Sequence, residues 1–495
     1  MSEGFSGVVR LSDIDDFIAP SQNCIIPMTA LPTSSKGGIK LGDVGNDAEA
    51  PLVSIKTNKA ASSTLASRQK KSVKITLNDC LACSGCVTTA EAVLIEQQSG
   101  DQLIQALAAH RAASLCDRRI AVVTVSPQSL SSIAASRRLS LTEAAQLIIA
   151  FFKQAGADYV MDSSFARTFS LLATFQEFLD VRQSTENADD SSKRPIFASA
   201  CPGWICYAEK THGQLLVPYL SKVRSPQAIS GALIKNYLAK LKGVDASKIY
   251  HATVMPCFDK KLEASRDDFL VPGTDVREVD CVISTVELSE LLDKAGAIDT
   301  LAQTPSLDWA NERWLSLVDS EGNVIGHGGG HSGGYADYVM YRAIRDLFHL
   351  TLDQVSISKI QRNQDFEETT VSFGDKVLLR IAKAYGFRNI QNVVQKLKRG
   401  KCNYDFVEVM ACPGGCTNGG GQIRAETVQQ RAATLGSVNE LYDSIPVVDP
   451  QMHQDAQAVG ADWLGSLQSD IAHTLLFTCY HPVNKTILQQ QTIKW

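Results

Sequence analysis

Short apolar runs alternate with longer amphipathic segments along this chain from about residue 119 onward. In the longer segments apolar residues recur every three or four positions, as on one helix face, while the short runs have the length of buried strands. Strands that alternate with helices are typical of βαβ units, so we predict an α/β fold with a mostly parallel sheet. The predicted elements are strands at 120–125, 196–200, 250–255, 281–284 and 406–410, a helix at 140–154, a polar loop at 184–194 and helical segments across 422–475.

The residues before this region have a different pattern. Residues 1–30 contain a short amphipathic stretch and Cys24, and residues 31–72 are rich in Ser, Gly, Lys and Ala without periodicity, which predicts a flexible linker. A strand-like run at 73–77 leads into Cys80, where the chain becomes globular. The first twenty residues hold three aspartates and no apolar run, so we expect neither a secretory signal nor a transit peptide and place the protein in the cytosol.

The amino-acid composition limits which classes of partner and which kinds of chemistry we expect for this protein. The 495 residues are 44% hydrophobic and 20% charged, values typical of a soluble globular protein. A net charge of −5 provides no basic field for a nucleic-acid backbone, and no apolar stretch approaches the roughly 20 residues of a membrane span. Thirteen cysteines are many for a chain in a reducing compartment, where disulfides do not persist, so we expect metal or redox chemistry.

Three cysteines lie together in one short segment. Cys80, Cys83 and Cys86 follow one another at Cys-x2-Cys-x2-Cys spacing with small residues between them, so one tight loop aims three sulfurs at a common point. Three thiolates from such a loop and a fourth from elsewhere form the ferredoxin arrangement for a [4Fe-4S] cluster. Zinc is the competing interpretation, although its sites commonly take two ligands from each of two knuckles.

The fourth ligand of this group must come from another part of the chain. Bacterial ferredoxins carry a further cysteine four positions after the third, where this chain has Ala90. Cys24 is the best candidate, because the linker at 31–72 lets its segment fold back at modest loop-closure cost. Cys116 is the next candidate, but its place before a predicted strand favours a packing role.

Four more cysteines come shortly after predicted strands. Cys201, Cys257 and the pair Cys412 and Cys416 each follow a different strand and precede turn residues. Because the carboxyl ends of parallel strands face one crevice in an open α/β sheet, these thiols can meet although they are far apart in sequence. The last two cysteines flank a Pro-Gly-Gly turn, whose glycines let backbone amides approach a cluster. We therefore predict a second, inner four-iron site.

Three segments around these cysteines resemble the signature segments of iron-only hydrogenases. They read Ala-Cys-Pro-Gly-Trp at 200–204, Met-Pro-Cys-Phe-Asp-Lys-Lys-Leu-Glu at 255–263 and Glu-Val-Met-Ala-Cys-Pro-Gly-Gly-Cys-Thr-Asn-Gly-Gly-Gly-Gln at 408–422. With the Cys-x2-Cys-x2-Cys loop, the chain is more similar to the eukaryotic hydrogenase-like relatives, the cytosolic iron-sulfur cluster assembly factors also called nuclear-architecture-related proteins. The resemblance spans nearly the whole chain, from residues 15–20 to Trp495.

The resemblance implies a fold and two sets of ligands. The implied fold is the iron-only hydrogenase-like large-subunit fold of two α/β halves at 119–421, with a small N-terminal ferredoxin-like cluster segment at 73–118 and a C-terminal helical tail at 422–495. Residues 331–337 and 475–481 resemble the glycine turn and the small-subunit helical tail of hydrogenases. The implied ligands are Cys24, Cys80, Cys83 and Cys86 for one [4Fe-4S] cluster, and Cys201, Cys257, Cys412 and Cys416 for a second.

One departure from the hydrogenase pattern bears on activity. Catalytic hydrogenases have a cysteine immediately before the first inner ligand, and its thiol relays protons; this chain has Ala200 there. A methyl group cannot carry a proton, so the resemblance implies a protein that is not an enzyme. Met255, Lys260 and Met410 do match residues that line the two-iron pocket of hydrogenases, which leaves a redox enzyme or hydrogenase relative as the alternative function.

The function implied by the resemblance is a non-catalytic part in cytosolic iron-sulfur cluster assembly, for the maturation of cytosolic and nuclear iron-sulfur proteins. The implied partners are the cytosolic scaffold complex and a late targeting complex with a WD-repeat component. That complex reads an aromatic C-terminus in this family; Trp495 matches it, while Lys494 departs from the small or acidic residue usual at that position. The implied location is cytoplasmic and also nuclear. A zinc-bound structural adaptor is a further alternative.

Several other residues have simpler interpretations. His327 and His331 have a His-x3-His spacing that suits zinc, but the geometry of a glycine turn is the favoured reason for their segment. Adjacent lysines such as Lys260 and Lys261 usually lie on a solvated helix face, and this is the favoured interpretation here. Only the resemblance to hydrogenases assigns Lys260 another place, in the lining of the two-iron pocket. The cysteines without cluster-like neighbours are expected to pack in the interior. They are Cys116, Cys206, Cys281, Cys402 and Cys479.

Overall fold

The computed structural model describes residues 95, 97–114, 118–187, 195–296, 324–425 and 427–483. Its first helices and strands are α1 Gly100–Ala112, β1 Ile120–Val125, α2 Pro127–Arg137, α3 Leu141–Ala155, β2 Tyr159–Asp162, α4 Ser163–Asn187, β3 Ile196–Ala198, α5 Pro202–Leu216, α6 Pro226–Ala232, α7 Ala239–Lys242, β4 Ile249–Met255, α8 Asp259–Ala264, β5 Cys281–Ser284 and α9 Thr285–Lys294. These are followed by α10 Tyr335–Arg342, β6 Ser356–Asn363, β7 Phe366–Phe373, β8 Lys376–Tyr385, α11 Phe387–Lys398, β9 Phe406–Met410, α12 Val428–Asp443, α13 Gln454–Trp463 and α14 Asp470–Leu476. In the described ranges no helix has both the length and the apolar character to span a bilayer.

The first sheet is entirely parallel and has the strand order β2-β1-β4-β5. Its central strands are buried on both faces, which is why they read as continuous apolar runs in the sequence. On one face, Val123, Val125 and Val254 pack with the apolar side chains of α2 and α3. Tyr442 of α12 belongs to the same core, so the C-terminal helices help to cover this sheet.

The second sheet is mixed and has the strand order β3-β9-β8-β7-β6. Strand β9 pairs in parallel with both β3 and β8, while β8, β7 and β6 form an antiparallel meander. Its core includes Phe406, Leu379 and Trp204, each at most 1% exposed. The two sheets with their covering helices are the two α/β halves that the sequence predicts.

Local sequence signals begin several helices at the ends of strands. Ser284, the last residue of β5, starts α9 with a reciprocal capping box, because Glu287 bonds back to its backbone amide at 2.7 Å. Helices α2 and α5 begin with a proline, whose missing N–H costs nothing in the first turn. Pro202 therefore starts α5 directly after Cys201, and this holds Cys201 at the carboxyl end of β3.

Most of the predicted elements are confirmed. Strands 281–284 and 406–410 match β5 and β9, and helix 140–154 matches α3 to within one residue. The loop prediction for 184–194 is wrong at its start, since α4 continues to Asn187 and residues 188–194 lie outside the described part. The sequence analysis also missed β2 and the meander β6–β8. Strand β6 has almost no buried side chain, so it carries no apolar run.

Two buried charges join the C-terminal helices to the first half. Arg224 Nη1 lies 2.9 and 2.8 Å from the carboxylate oxygens of Glu278, and the two residues are only 5% and 1% exposed. The same guanidinium donates hydrogen bonds to the backbone oxygens of Thr474, at 3.1 Å, and Phe477, at 3.0 Å. Because these oxygens lie at the end of α14, the pair fixes the C-terminal segment against the core.

We expect Glu278→Ala to lower the free energy of unfolding by about 3–5 kcal/mol, because it leaves the guanidinium of Arg224 buried without its counter-charge. Urea denaturation followed by circular dichroism measures this loss. The matched control is Asp101→Ala, which removes an exposed ion pair with Lys294 at 3.1 Å and should cost less than about 1 kcal/mol. Equal losses in the two variants would contradict the prediction.

Candidate metal centre

The four inner cysteines follow strands from both halves of the molecule. Cys201 is the N-cap of α5 and follows β3, while Cys412 and Cys416 follow the neighbouring strand β9. Cys257 comes two residues after β4, a central strand of the other sheet. The segment after β9, which carries Cys412 and Cys416, meets the segment after β4, which carries Cys257. There the amide of Gly421 donates a hydrogen bond of 2.9 Å to the carbonyl of Pro256.

The four thiols lie close enough to affect one another electrostatically. Burial, the largest effect, raises the pKa of Cys201 to about 12 together with the neighbouring groups Cys416 and Asp259. Burial also raises the pKa of Cys257 well above its usual value, with added effects of Asp259 and the three other cysteines. The pKa of Cys412 is raised in the same way by burial, then by Cys201 and Cys416. The structure thus brings together all four cysteines predicted for the inner site.

This donor set suits a metal cluster. Thiolates rather than thiols bind metals, and burial here disfavours the charged thiolate at every one of the four positions. A bound metal group would supply the compensating positive charge, so binding would be coupled to the release of thiol protons. Among the described residues, no three His, Cys, Asp or Glu side chains are placed to share a single metal ion. Thiolates on one zinc ion lie only about 3.8 Å apart, whereas a four-iron cubane binds each thiolate at a separate iron.

Glycines let the backbone after β9 approach the other ligands. Gly415 has φ +79°, and a Cβ there would lie 2.1 Å from Ser332 Oγ. A Cβ on Gly421 would lie 2.8 Å from Ser284 Cβ and 3.2 Å from the Cα of Cys257. The distances of 2.1 and 2.8 Å are shorter than real Cβ contacts, so a side chain at either position would force its neighbours to move. The sequence analysis predicted that the glycines of the Pro-Gly-Gly turn let backbone amides approach a cluster; that approach stays a prediction.

The residues beside the inner cysteines are buried. Ala200, which precedes the first ligand, is 7% exposed. Lys260 is also 7% exposed, and its Nζ lies 2.6 Å from Glu263 Oε2 and 3.0 Å from Ser225 Oγ. Lys261 is fully buried and pairs with Glu287 at 2.9 Å. The interpretation of the two lysines as a solvated helix face is therefore wrong.

The two histidines of the glycine-rich segment have hydrogen-bond partners in different places. His327 Nε2 lies 2.8 Å from Thr168 Oγ1, and its Nδ1 lies 2.9 Å from the carbonyl oxygen of Val448. His331 Nε2 lies 3.0 Å from Asp443 Oδ1. The glycines at 329, 330 and 334 all have positive φ, as the glycine-turn interpretation requires.

The remaining cysteines differ in exposure. Cys281 is buried in the core of the first half, and Cys402 packs against the core of the second, as predicted. Cys206 is partly buried. Cys479 is exposed, so the packing prediction is wrong for it, because it follows the end of α14 on the surface. The predicted site residues that lie outside the described residues are Cys24, Cys80, Cys83, Cys86, Cys116 and Trp495.

Sequence reasoning missed two polar residues around the inner site. Asp259 is 3% exposed and acts electrostatically on three of the four thiols. Ser332 Oγ accepts a hydrogen bond of 2.9 Å from the amide of Cys416. Both residues lie in segments that resemble the hydrogenases, but nothing in their one-dimensional pattern shows that they face the cysteines.

Comparison with known proteins identifies relatives over the whole chain. The family model described as iron only hydrogenase large subunit, C-terminal domain, matches residues 119–420. The cytosolic Fe-S cluster assembly factor narfl of Xenopus tropicalis is 44% identical over 495 residues, covering 100% of both chains. Cytosolic iron-sulfur assembly component 3 of Rattus norvegicus is 43% identical over 495 residues, again with 100% coverage of both. The probable cytosolic Fe-S cluster assembly factor oxy-4 of Caenorhabditis elegans is 45% identical over 502 residues, covering 99% of each.

Solved structures show the same fold. An apo form of the [FeFe]-hydrogenase HydA1 from Chlamydomonas reinhardtii matches with a TM-score of 0.64 and 26% identity, covering 77% of this chain and 98% of that one. A further [FeFe]-hydrogenase structure matches with a TM-score of 0.65 and 27% identity. The predicted hydrogenase-like fold of two α/β halves is thus confirmed. The chain belongs to the family of cytosolic iron-sulfur cluster assembly factors that share the fold of the iron-only hydrogenase large subunit.

Proposed function

We propose that this protein is a non-catalytic iron-sulfur protein of the cytosolic cluster assembly machinery and carries two [4Fe-4S] clusters. The observation that carries the proposal is the convergence of four cysteines from the ends of three strands, Cys201 buried and the other three partly buried, in a chain whose full-length relatives are named assembly factors. In this role it contributes to the maturation of cytosolic and nuclear iron-sulfur proteins.

The inner cluster is assigned to Cys201, Cys257, Cys412 and Cys416. Three of these ligands lie on the carboxyl side of β3 and β9, which are paired strands with fixed register. A cluster bound here would be enclosed between the two halves, and its binding energy would add to the stability of the fold. The outer cluster is assigned to the sequence-predicted ligands Cys24, Cys80, Cys83 and Cys86, which we place nearer the surface, where exchange or electron transfer is easier.

The alternative of a hydrogenase or another redox enzyme is supported by the fold and by Met255, Lys260 and Met410, which match residues that line the two-iron pocket of hydrogenases. Lys260, one of those matches, is engaged with Glu263 and Ser225. The side chain next to the first ligand is the methyl group of Ala200, which is 7% exposed and has no titratable proton. The proton relay of a catalytic hydrogenase requires such a proton at that position. We therefore favour the assembly role.

The proposed partners are the cytosolic scaffold complex and the late targeting complex, the latter through its WD-repeat component and the terminal Trp495. An indole beside a free carboxylate suits capture in a pocket of a partner. We place the protein in the cytoplasm and also in the nucleus.

Cys416→Ala and Cys86→Ala should each reduce the iron and acid-labile sulfide of anaerobically purified protein by about half, because each removes one ligand of a different cluster. Cys416→Ala should also lower the thermal midpoint more than Cys86→Ala does, since the inner cluster stabilises the core. The matched control Cys402→Ala, at a half-buried cysteine outside both sets, should retain full iron. Zinc without sulfide in the wild type, or global unfolding of Cys86→Ala, would contradict the proposal.

Hydrogen evolution distinguishes the assembly role from the enzymatic alternative. With reduced methyl viologen as electron donor, the anaerobically purified protein should evolve no hydrogen above the level without protein, since Ala200 cannot relay protons. Gas chromatography of the headspace measures this, with an active iron-only hydrogenase as the positive control. Robust turnover would establish the redox enzyme instead.

Deletion of Trp495 should weaken co-purification with the targeting complex from cell extracts, because the indole is the proposed anchor. The iron content of the truncated protein should stay unchanged, which separates lost docking from lost folding. A matched variant, Lys494→Ala, retains the indole and should co-purify like the wild type. Unchanged recovery of the complex after the deletion would remove the docking role.

A further inference from the structure

A small cavity lies at the carboxyl edge of the first sheet, beyond the ends of β1 and β2. It has a volume of about 80 Å³, and its described lining comes from the starts of α2 and α4, the glycine-rich segment 326–330 and residues between 442 and 447 at the end of α12. None of the four inner cysteines belongs to this lining. Ligands of open α/β proteins bind outside the carboxyl ends of parallel strands, so the cavity lies where a ligand is expected.

Ser164 brings an unsatisfied hydroxyl to this cavity. It lines the cavity as the second residue of α4 and is only 5% exposed, and no described residue forms a hydrogen bond with its Oγ. Its amide is already used, because Asp162 Oδ1 accepts from it at 2.9 Å. A buried hydroxyl without a partner is costly, so this group is available to a ligand.

Arg167 places a positive charge beside the cavity. The residue is 4% exposed, and its Nη1 donates a hydrogen bond of 2.7 Å to Tyr442 Oη. Its other described acceptors are the carbonyl oxygens of Gly333, at 2.8 Å, and Gly328, at 3.3 Å. All of these acceptors are uncharged, and no described carboxylate forms an ion pair with this guanidinium. A buried cation is costly without a counter-charge, so the site favours an anion.

Tyr442 links the guanidinium to the cavity. It lines the cavity and is 6% exposed. Because its oxygen accepts the hydrogen of Arg167, its own hydroxyl hydrogen is left for another acceptor, and no described residue accepts it. Together with Ser164, the cavity therefore has two hydroxyl hydrogens to donate.

The backbone around the cavity also favours negative charge. Helices α2 and α4 begin at the cavity with Pro127 and Ser164 in their first turns, and helix N-termini carry partial positive charge. No described residue accepts a hydrogen bond from the amides of Gly328, Gly329 and Gly330. Successive amides in such turns form concave anion sites in many proteins.

The carboxyl groups near the cavity do not cancel this charge. Asp443 is the described acidic residue of the lining, and its Oδ1 lies 3.0 Å from His331 Nε2. Asp162 accepts an amide hydrogen at the start of α4, and burial raises its pKa to about 7, so it is partly protonated at neutral pH. Glu408 acts on Arg167 electrostatically without forming an ion pair.

We propose that this cavity binds a small inorganic oxyanion of the phosphate type, which accepts hydrogen bonds from the hydroxyls of Ser164 and Tyr442 and balances the charge of Arg167. The small volume favours a free ion over the phosphate group of a larger ligand. The inference goes beyond the proposed function, because it requires neither cluster.

The test is isothermal titration calorimetry of inorganic phosphate into the anaerobically purified full-length protein, at an ionic strength held constant with sodium chloride. The wild type should bind one phosphate per chain. Ser164→Ala should weaken this binding about tenfold, because hydrogen bonds to charged acceptors are the strong ones. Without phosphate its thermal midpoint should not fall, since the deleted hydroxyl has no partner among the described residues.

Ser132→Ala is the matched control. It removes another buried hydroxyl without a described partner, in α2 and 2% exposed, from a residue outside the described lining. This variant should bind phosphate like the wild type. Tyr442→Phe removes the second donor and should weaken binding as Ser164→Ala does. Glycerol 3-phosphate should bind the wild type less tightly than phosphate.

Four results would overturn the inference. They are a wild type without saturable phosphate binding, an unchanged affinity in Ser164→Ala, an equal loss in Ser132→Ala and tighter binding of glycerol 3-phosphate than of phosphate. Should Tyr442→Phe fail to fold, Ser164→Ala decides the question alone. Iron and sulfide are measured on the same samples, so a protein with both clusters but no phosphate binding contradicts this inference and leaves the proposed function standing.

Discussion

The gathering of four cysteines at one place, one of them buried and three partly buried, is the constraint on which the rest of this structure depends. In a dry interior a thiolate is costly, and burial raises the pKa of Cys201, Cys257, Cys412 and Cys416. Four such groups gathered without a metal would add little to stability beyond that of small apolar residues. The proposed cluster would change this balance, because its irons would stabilise the thiolates and its binding energy would become part of the folding energy.

The rest of the fold places these sulfurs and protects them. Parallel strands end at a common edge, so ligands that are distant in sequence reach one point without long loops. Glycines at 415 and 421 let the β9 turn contact Ser332 and the backbone of Cys257. The buried residues Ser332 and Glu408 then set the hydrogen bonds around the turn. The solved [FeFe]-hydrogenases share this framework, and in the proposed function the methyl group of Ala200 accounts for the absence of a proton relay.

Helix α5 links the inner site to the end of the described chain. Its N-cap is Cys201, and further along it Glu209 accepts the amide hydrogens of His481, through Oε1 at 3.1 Å, and of Val483, through its backbone oxygen at 3.1 Å. Arg266 adds a bidentate pair to Glu209, with both nitrogen–oxygen distances at 2.9 Å. The described C-terminal segment is therefore held by the same helix that begins at Cys201, a proposed cluster ligand.

The sequence by itself determined the α/β class and most buried strands, because continuous apolar runs are local patterns that buried parallel strands impose. It also singled out the four inner cysteines, whose role as cluster ligands is the proposal. It did not predict the meander β6–β8, whose exposed strand β6 carries no apolar run, nor the last turn of α4. Only the tertiary structure decided that Lys260 and Lys261 are buried, that Cys479 is exposed, that Ser332 accepts the amide hydrogen of Cys416, and that Tyr385 donates to Glu408. Such contacts join residues far apart in the chain, so no local pattern records them.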